Sequence, residues 1–330
     1  MTTSRRFPTF SPLLASLLLP LILLLSACGG GGGGTADAAA PPIVVTAPGT
    51  VIVPVTVATV TDAPQLTGNT ATDGFNWFNY RRLMMGESAL IRNTDLDRAG
   101  FNHSQYQQLN NVITHDEIAT NAGFTGAVLP DRLTAAGYRF TQRSYAYGEV
   151  ISSTVDQSGV NAAEDLIAAI YHRFAVFEPS FRQAGAGAAV SNAGRTYFTT
   201  DFTADGLKTA LGAGNFVVYP FAGQLHLPTL FYSDYESPDP VPSRNQVGYP
   251  ISVHADITAV LNVQSFTVKP RNGTALTTQL LTHANDPQTP ASAAAIVPLD
   301  VLTAATTYDV QFTGTIDGTN VSRAWSFTTQ

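Results

Sequence analysis

One cysteine, six histidines and the carboxylates near them are the residues of this 330-residue chain equipped for nucleophilic, acid–base or metal chemistry. Cys28 is the sole thiol, so no disulfide can form within the chain and no Cys-based zinc site can be assembled. His103 recurs with Leu96, Ala99 and Tyr106 at helical spacing and reads as a hydrogen-bonded core residue. His115 stands in a polar break, Thr114-His115-Asp116-Glu117, and His172 falls on a later helical stretch. His226, His254 and His283 are scattered without metal spacing and read as surface or packing residues. A neutral imidazole can ligate a divalent cation, and a neighbouring carboxylate can orient the ring or raise its basicity. The patterns G-x-S-x-G, H-E-x-x-H and the Walker A loop are absent, and G-x-G-x-x-G is met only inside the poly-Gly run Gly29–Gly34, which follows no strand, so several hydrolase and nucleotide-binding classes are set aside.

The elements that would position these groups form an α+β pattern between residues 68 and 205. Asp73 can cap a helix on which Phe75, Phe78 and Arg82 share one side. A second helix is expected from Thr94 to Asn111, and a third, carrying Leu129, Leu133 and Ala136, ends at the C-cap residue Gly137. A strand starts at Tyr147-Gly148-Glu149-Val150-Ile151. A helix then runs from Asn161 to Phe174, with Asn161 and Glu164 placed as a capping box. Gly185–Val190 and Arg195–Phe202 read as a hairpin about the turn Ser191-Asn192-Ala193-Gly194.

Six phrases in this order resemble the bacterial CAP (SCP/PR-1-like) domain. Phe78-Asn79-Tyr80-Arg81 is similar to its opening helix, Ala99 to His103 to the next, and Thr114-His115 to the phrase ending in Ser-His. Asp131-Arg132-Leu133-Thr134-Ala135-Ala136-Gly137-Tyr138 resembles D-R-L-x-A-A-G-Y, and Gly148-Glu149-Val150-Ile151 resembles G-E-N-I. His172-Arg173, then Phe177, Pro179, Phe181, Gly185 and Gly187, follow the family's closing phrase. The resemblance implies an α-β-α sandwich with a cleft lined by two His and two acidic residues. His115, Glu149 and His172 match three of these, and Glu164, Asp165 and Glu117 are candidates for the fourth. On that implication His115 and His172 could share a divalent cation such as Zn²⁺. The chain departs from the pattern at Val150 and at Ala169-Ile170-Tyr171, both on the implied cleft wall.

Upstream, Arg5 and Arg6 precede an apolar run, Leu13 to Leu25, that Pro20 interrupts. Leu25-Ser26-Ala27-Cys28 resembles a lipobox, so residues 1–27 are expected to be a cleaved leader and Cys28 an acylated N-terminus. Gly at position 29, by resemblance to Gram-negative lipoproteins, favours the outer membrane. Residues 28–67 read as a Gly/Ala/Pro-rich tether in which Val51–Val60 could pair as an edge strand. The formal net charge of −7 becomes more acidic once Arg5 and Arg6 are removed, and no basic stripe offsets it. Nucleic acid is thereby excluded as a partner.

Residues 212–330 read as β-rich. Asn272-Gly273 suits a tight hairpin, Asp317-Gly318 turns the chain, and Tyr308, Val310 and Phe312 alternate, as do Val321, Arg323, Trp325 and Phe327. The ending Thr306–Gly314 and Ser322–Thr329 resembles bacterial Ig-like domains, which implies an all-β sandwich acting as spacer or lid. The function expected is a membrane-anchored binding module for an apolar ligand or an envelope protein. A metal-assisted ester or peptide hydrolase using the same cleft is the alternative.

Overall fold

The computed structural model describes residues 62–330 except 243. Upstream it gives only the backbone of two short strands, β1 (Val44–Ala47) and β2 (Thr50–Ile52). The expected leader, Cys28 and most of the tether lie outside the described residues. Of the strand expected over Val51–Val60, only Val51 and Ile52 are described, both in β2.

The first unit begins with α1 (Thr70–Met85), capped by Asn69, whose side chain accepts from the Thr72 amide. Asp73 instead sits in the first turn and accepts from the Thr67 and Gly68 amides, so the helix starts earlier than its sequence suggests. Next come β3 (Ile91–Arg92), α2 (Thr94–Asn110), α3 (Leu129–Ala135) and β4 (Tyr145–Thr154). The single helix expected over Asn161–Phe174 is two: α4 (Gly159–Ala168), capped by Ser158, and α5 (Ile170–Val176). Ala169 is extended, so the ladder breaks there, and the cap on Ser158 rules out the proposed Asn161–Glu164 box. The strands β5 (Gln183–Val190) and β6 (Thr196–Asp205) form the expected hairpin, with Gly194 at φ 82°. The sheet order is β3-β5-β6-β4.

Strand alternation divides this sheet into two faces. On one, Thr199 bonds Ser104 and Gln107 of α2, and Thr203 bonds Tyr138 just beyond α3. On the other, Phe198 and Phe202 pack on Phe78 of α1, and Gly148 faces Phe181 and Ala175. The result is three layers, helix–sheet–helix. The α2 backbone lies so near β5 that a Cβ on Gly185 would overlap the Asp97 amide, and one on Gly187 the Phe101 amide. Gly187→Ala should therefore lift α2 from the sheet and cost about 3 kcal/mol, the upper end for overpacking. A urea midpoint within error of the wild type would contradict this.

The second unit contributes β7 (Val217–Tyr219), β8 (Leu230–Tyr232), β9 (Gln246–Gly248), β10 (Ile251–His254), β11 (Leu261–Pro270), β12 (Thr278–Thr282), β13 (Ala293–Pro298), β14 (Thr307–Ile316) and β15 (Thr319–Thr328). One sheet runs β1-β2-β15-β14-β11 and another β12-β13-β10-β7, while β8 and β9 pair separately. Asp317 and Gly318, both at positive φ, close the expected β14–β15 hairpin. Asn272-Gly273 does not close a same-sheet hairpin: β11 pairs with β14, and the chain crosses to the other sheet at β12. That second sheet is covered on both faces. Ala294 and Ile296 of β13 join the interior with Phe312 and Phe266, whereas Ala293, Ala295 and Val297 pack with Ile170, Tyr171 and Phe174 of α5. A strand buried on both sides explains the unbroken apolar run Ala293–Pro298.

The change of pattern between residues 205 and 212 thus separates two architectures that share one core. The largest apolar cluster holds Phe78 and Ile167 of the first unit together with Tyr219 and Ile251 of the second. Arg173, fully buried on α5, donates to the Pro250 carbonyl at 2.7 Å and lies over the rings of Tyr219 and Tyr249. Independent folding of the two units, which the change of pattern suggests, is not what this packing supports.

Candidate functional site

Glu149 is the centre of the site. It is an odd position of β4, so strand alternation sends its carboxylate to the α2–α3 face, away from Gly148 and α5. There Arg132 of α3 donates from Nη2 to both its oxygens at 2.7 Å, and His115 Nδ1 lies 2.8 Å from Oε1. Arg132 Nη1 also donates to the His115 carbonyl at 2.6 Å, fixing the loop that carries the ring. Arg132 and Glu149 are buried; the His115 side chain keeps 19% of its surface.

Directly across the ladder from Glu149 stands Asp201 of β6, also buried. Neither Asp201 oxygen has a hydrogen-bond donor among the described residues, yet the carboxyl faces Glu149. Two carboxyls so placed must share a proton. Burial would raise Glu149, but Arg132, His103 and His115 outweigh it and hold its carboxyl well below the usual range. Asp201 is driven up by burial and by the Glu149 charge, with Arg132 only partly opposing, so the proton resides on Asp201. The arrangement is therefore a neutral acid, a carboxylate, a guanidinium and an imidazole in one row.

Beneath this row lies a second pair. His103, fully buried as expected of a core residue, has Nδ1 2.8 Å from Glu117 Oε1 and Nε2 2.7 Å from the Thr114 carbonyl. Glu117 is buried and accepts from the Thr125 and Gly126 amides. Burial would raise it, but the His103 hydrogen bond and the Thr125 amide hold it below its ordinary value. This pair staples the loop between α2 and α3 to α2 and so places His115.

His172, implied by resemblance to face His115, does not join it. α5 packs against the opposite side of β4, and His172 Nδ1 lies 2.9 Å from Glu236 Oε1 of the second unit. Glu236 also accepts from the Tyr171 amide at 2.8 Å. Of the candidates for the fourth acid, Glu164 bonds Trp77 Nε1 and Arg81 Nε between α1 and α4. Asp165 is on α4, and Glu117 serves His103. None reaches Glu149; the acid that does is Asp201. Val150 faces the apolar core with Phe75 and Leu166, so the departure from Asn there leaves the site untouched. Asp201 was signalled by a lone carboxylate inside Tyr197–Phe202, and Arg132 by its place beside Leu133 on an apolar helix face.

The donor set does not fit a divalent cation. Among the described residues no group of three His, Cys, Asp or Glu is placed to hold one. Glu149 is already neutralised by Arg132, whose own charge would repel a dication at van der Waals range. What remains is a cavity of about 100 Å³ lined by His115, Asp116, Val128, Leu129, Pro130, Tyr147, Gly148 and Glu149.

No family model matches this chain, and no curated protein does. Among solved structures, an extracellular protein containing an SCP domain from Bacillus anthracis is similar at 21% identity with a TM-score of 0.35. That match covers 41% of this chain and 40% of that one. An outer surface protein from Borrelia burgdorferi is similar at 13% identity with a TM-score of 0.32, over 39% of this chain and 88% of that one. What stands on the chain's own coordinates is a mixed α+β protein of several sheets.

Proposed function

We propose that this chain is a lipid-anchored envelope protein whose CAP-like unit binds the polar end of a small or apolar ligand in the His115 cavity. The carrying observation is that Glu149 holds His115 by one ring nitrogen while Arg132 cancels the carboxylate charge, so a single imidazole edge serves a small apolar-walled recess. No wall residue carries a serine, threonine or cysteine nucleophile, and no three-residue metal donor set occurs among the described residues, so the reading favours binding over hydrolysis. The lipobox-like Leu25-Ser26-Ala27-Cys28 supports an anchor at Cys28, with the outer membrane as its destination. The C-terminal strands are read as an Ig-like sandwich that braces α5.

The test uses full-length protein purified from a Gram-negative envelope. A fatty-acid probe should label the wild type and not Cys28→Ser, and mass spectrometry should find a co-purifying small molecule that His115→Ala loses. An unlabelled wild type would remove the anchor; an identical small-molecule profile in His115→Ala would remove the cavity as its site.

A further inference from the structure

We infer that the His115 cavity selects a neutral hydroxyl group, as in an alcohol or polyol, and rejects carboxylates and phosphates. This inference rests on the binding reading above and names its ligand class. The argument is one of hydrogen-bond direction. Glu149 is an acceptor, so the Nδ1 that meets it at 2.8 Å carries the ring proton. In the neutral ring Nε2 is then left as a lone-pair acceptor, and the complement of an acceptor is an O–H donor.

An anion would need a free cationic donor, and the site has none. Arg132 commits Nη1 to the His115 carbonyl and Nη2 to both oxygens of Glu149, and its Nε is buried. Asp116, at the cavity wall, adds a negative charge that an incoming carboxylate would meet. Burial raises the Tyr147 phenol, with Tyr145 adding to the effect, so this wall group stays a neutral O–H. Val128, Leu129 and Pro130 supply apolar surface for the carbons that bear the hydroxyl. A recess of about 100 Å³ is smaller than the roughly 150 Å³ that takes a benzene ring, so it admits a few heavy atoms and leaves a longer ligand outside.

The experiment compares 1-propanol with propionate, which share a carbon skeleton, on the folded chain labelled with ¹⁵N-histidine at pH 7.5. Long-range ¹H–¹⁵N spectra read each ring nitrogen of His115 during the titration. The unliganded spectrum should show the proton on Nδ1. 1-Propanol should shift Nε2 saturably in the millimolar range, with propionate at least tenfold weaker, and Asp116→Asn should keep that preference. Propionate binding as well as 1-propanol would overturn the hydroxyl assignment while leaving the cavity as a binding site. Parity appearing only in Asp116→Asn would overturn it too, because the mouth charge and not the ring would be the discriminator. If neither probe saturates, the binding reading falls with it.

Discussion

Expressed alone, residues 62–205 are expected to lack a cooperative unfolding transition. In the whole chain α5 lies between two sheets, and Ile170, Tyr171 and Phe174 are buried against Phe231, Val241, Val247 and Leu281 of the second unit. Truncation would expose these together with the face of the larger cluster that meets Tyr219, Tyr249 and Ile251. Each large apolar side chain returned to water forfeits about 1.5–3 kcal/mol, so half a dozen, about 9–18 kcal/mol, are comparable with the whole of the about 5–15 kcal/mol by which domains are stable. The buried Arg173 guanidinium would also lose the Pro250 carbonyl. Calorimetry should show one transition for residues 62–330. A fragment that melts cooperatively near the temperature of the whole would show that the shared core is dispensable.

The second large effect is a fall in stability as pH rises from about 4.5 towards 7, centred on Glu178. This carboxyl is buried at the join, where its Oε1 accepts from the Ser180 and Ile257 amides at 2.9 and 3.1 Å. Burial pushes it from 4.5 up to about 7, with the Ser180 contacts and Arg82 only partly opposing. Between those values the folded chain keeps a proton that the unfolded chain has released. Stability is therefore fullest below the unfolded value and declines until the folded group ionises, by about 3 kcal/mol in all at roughly 1.4 kcal/mol per unit. Glu87, raised by burial to about 8 despite its 2.8 Å pair with Arg82, extends the decline. Glu149 has the opposite sign: held low, it contributes stability that is full above the unfolded value and is lost progressively as the pH falls below it. Glu178→Gln keeps an acceptor for both amides and should flatten the slope between pH 5 and 7 in urea denaturation, leaving the part that Glu87 and Asp201 carry. An unchanged slope would show that Glu178 is not its source.

By itself the sequence determined what short-range rules govern. Helix spacing with Gly137 beyond it located α3, the Ser191–Gly194 turn located the β5–β6 hairpin, and Asp317-Gly318 located the last one. It also marked His103 as core, and the family resemblance grouped His115, Glu149 and His172, of which His115 and Glu149 meet in the structure. These depend on 3.6- and 2-residue periods and on turn chemistry, which a few consecutive residues fix. The tertiary structure alone decided the rest. Asp201 became the partner of Glu149 because antiparallel register set residues 52 positions apart opposite each other. His172 was claimed by Glu236 because α5 packs on the face of β4 that Gly148, and not Glu149, presents. Asn272-Gly273 led across to another sheet, where β12 pairs with β13, although β11 keeps an open edge in its own sheet. Each outcome is a competition between distant segments for one edge, one face or one buried charge, and local sequence carries no record of which competitor wins.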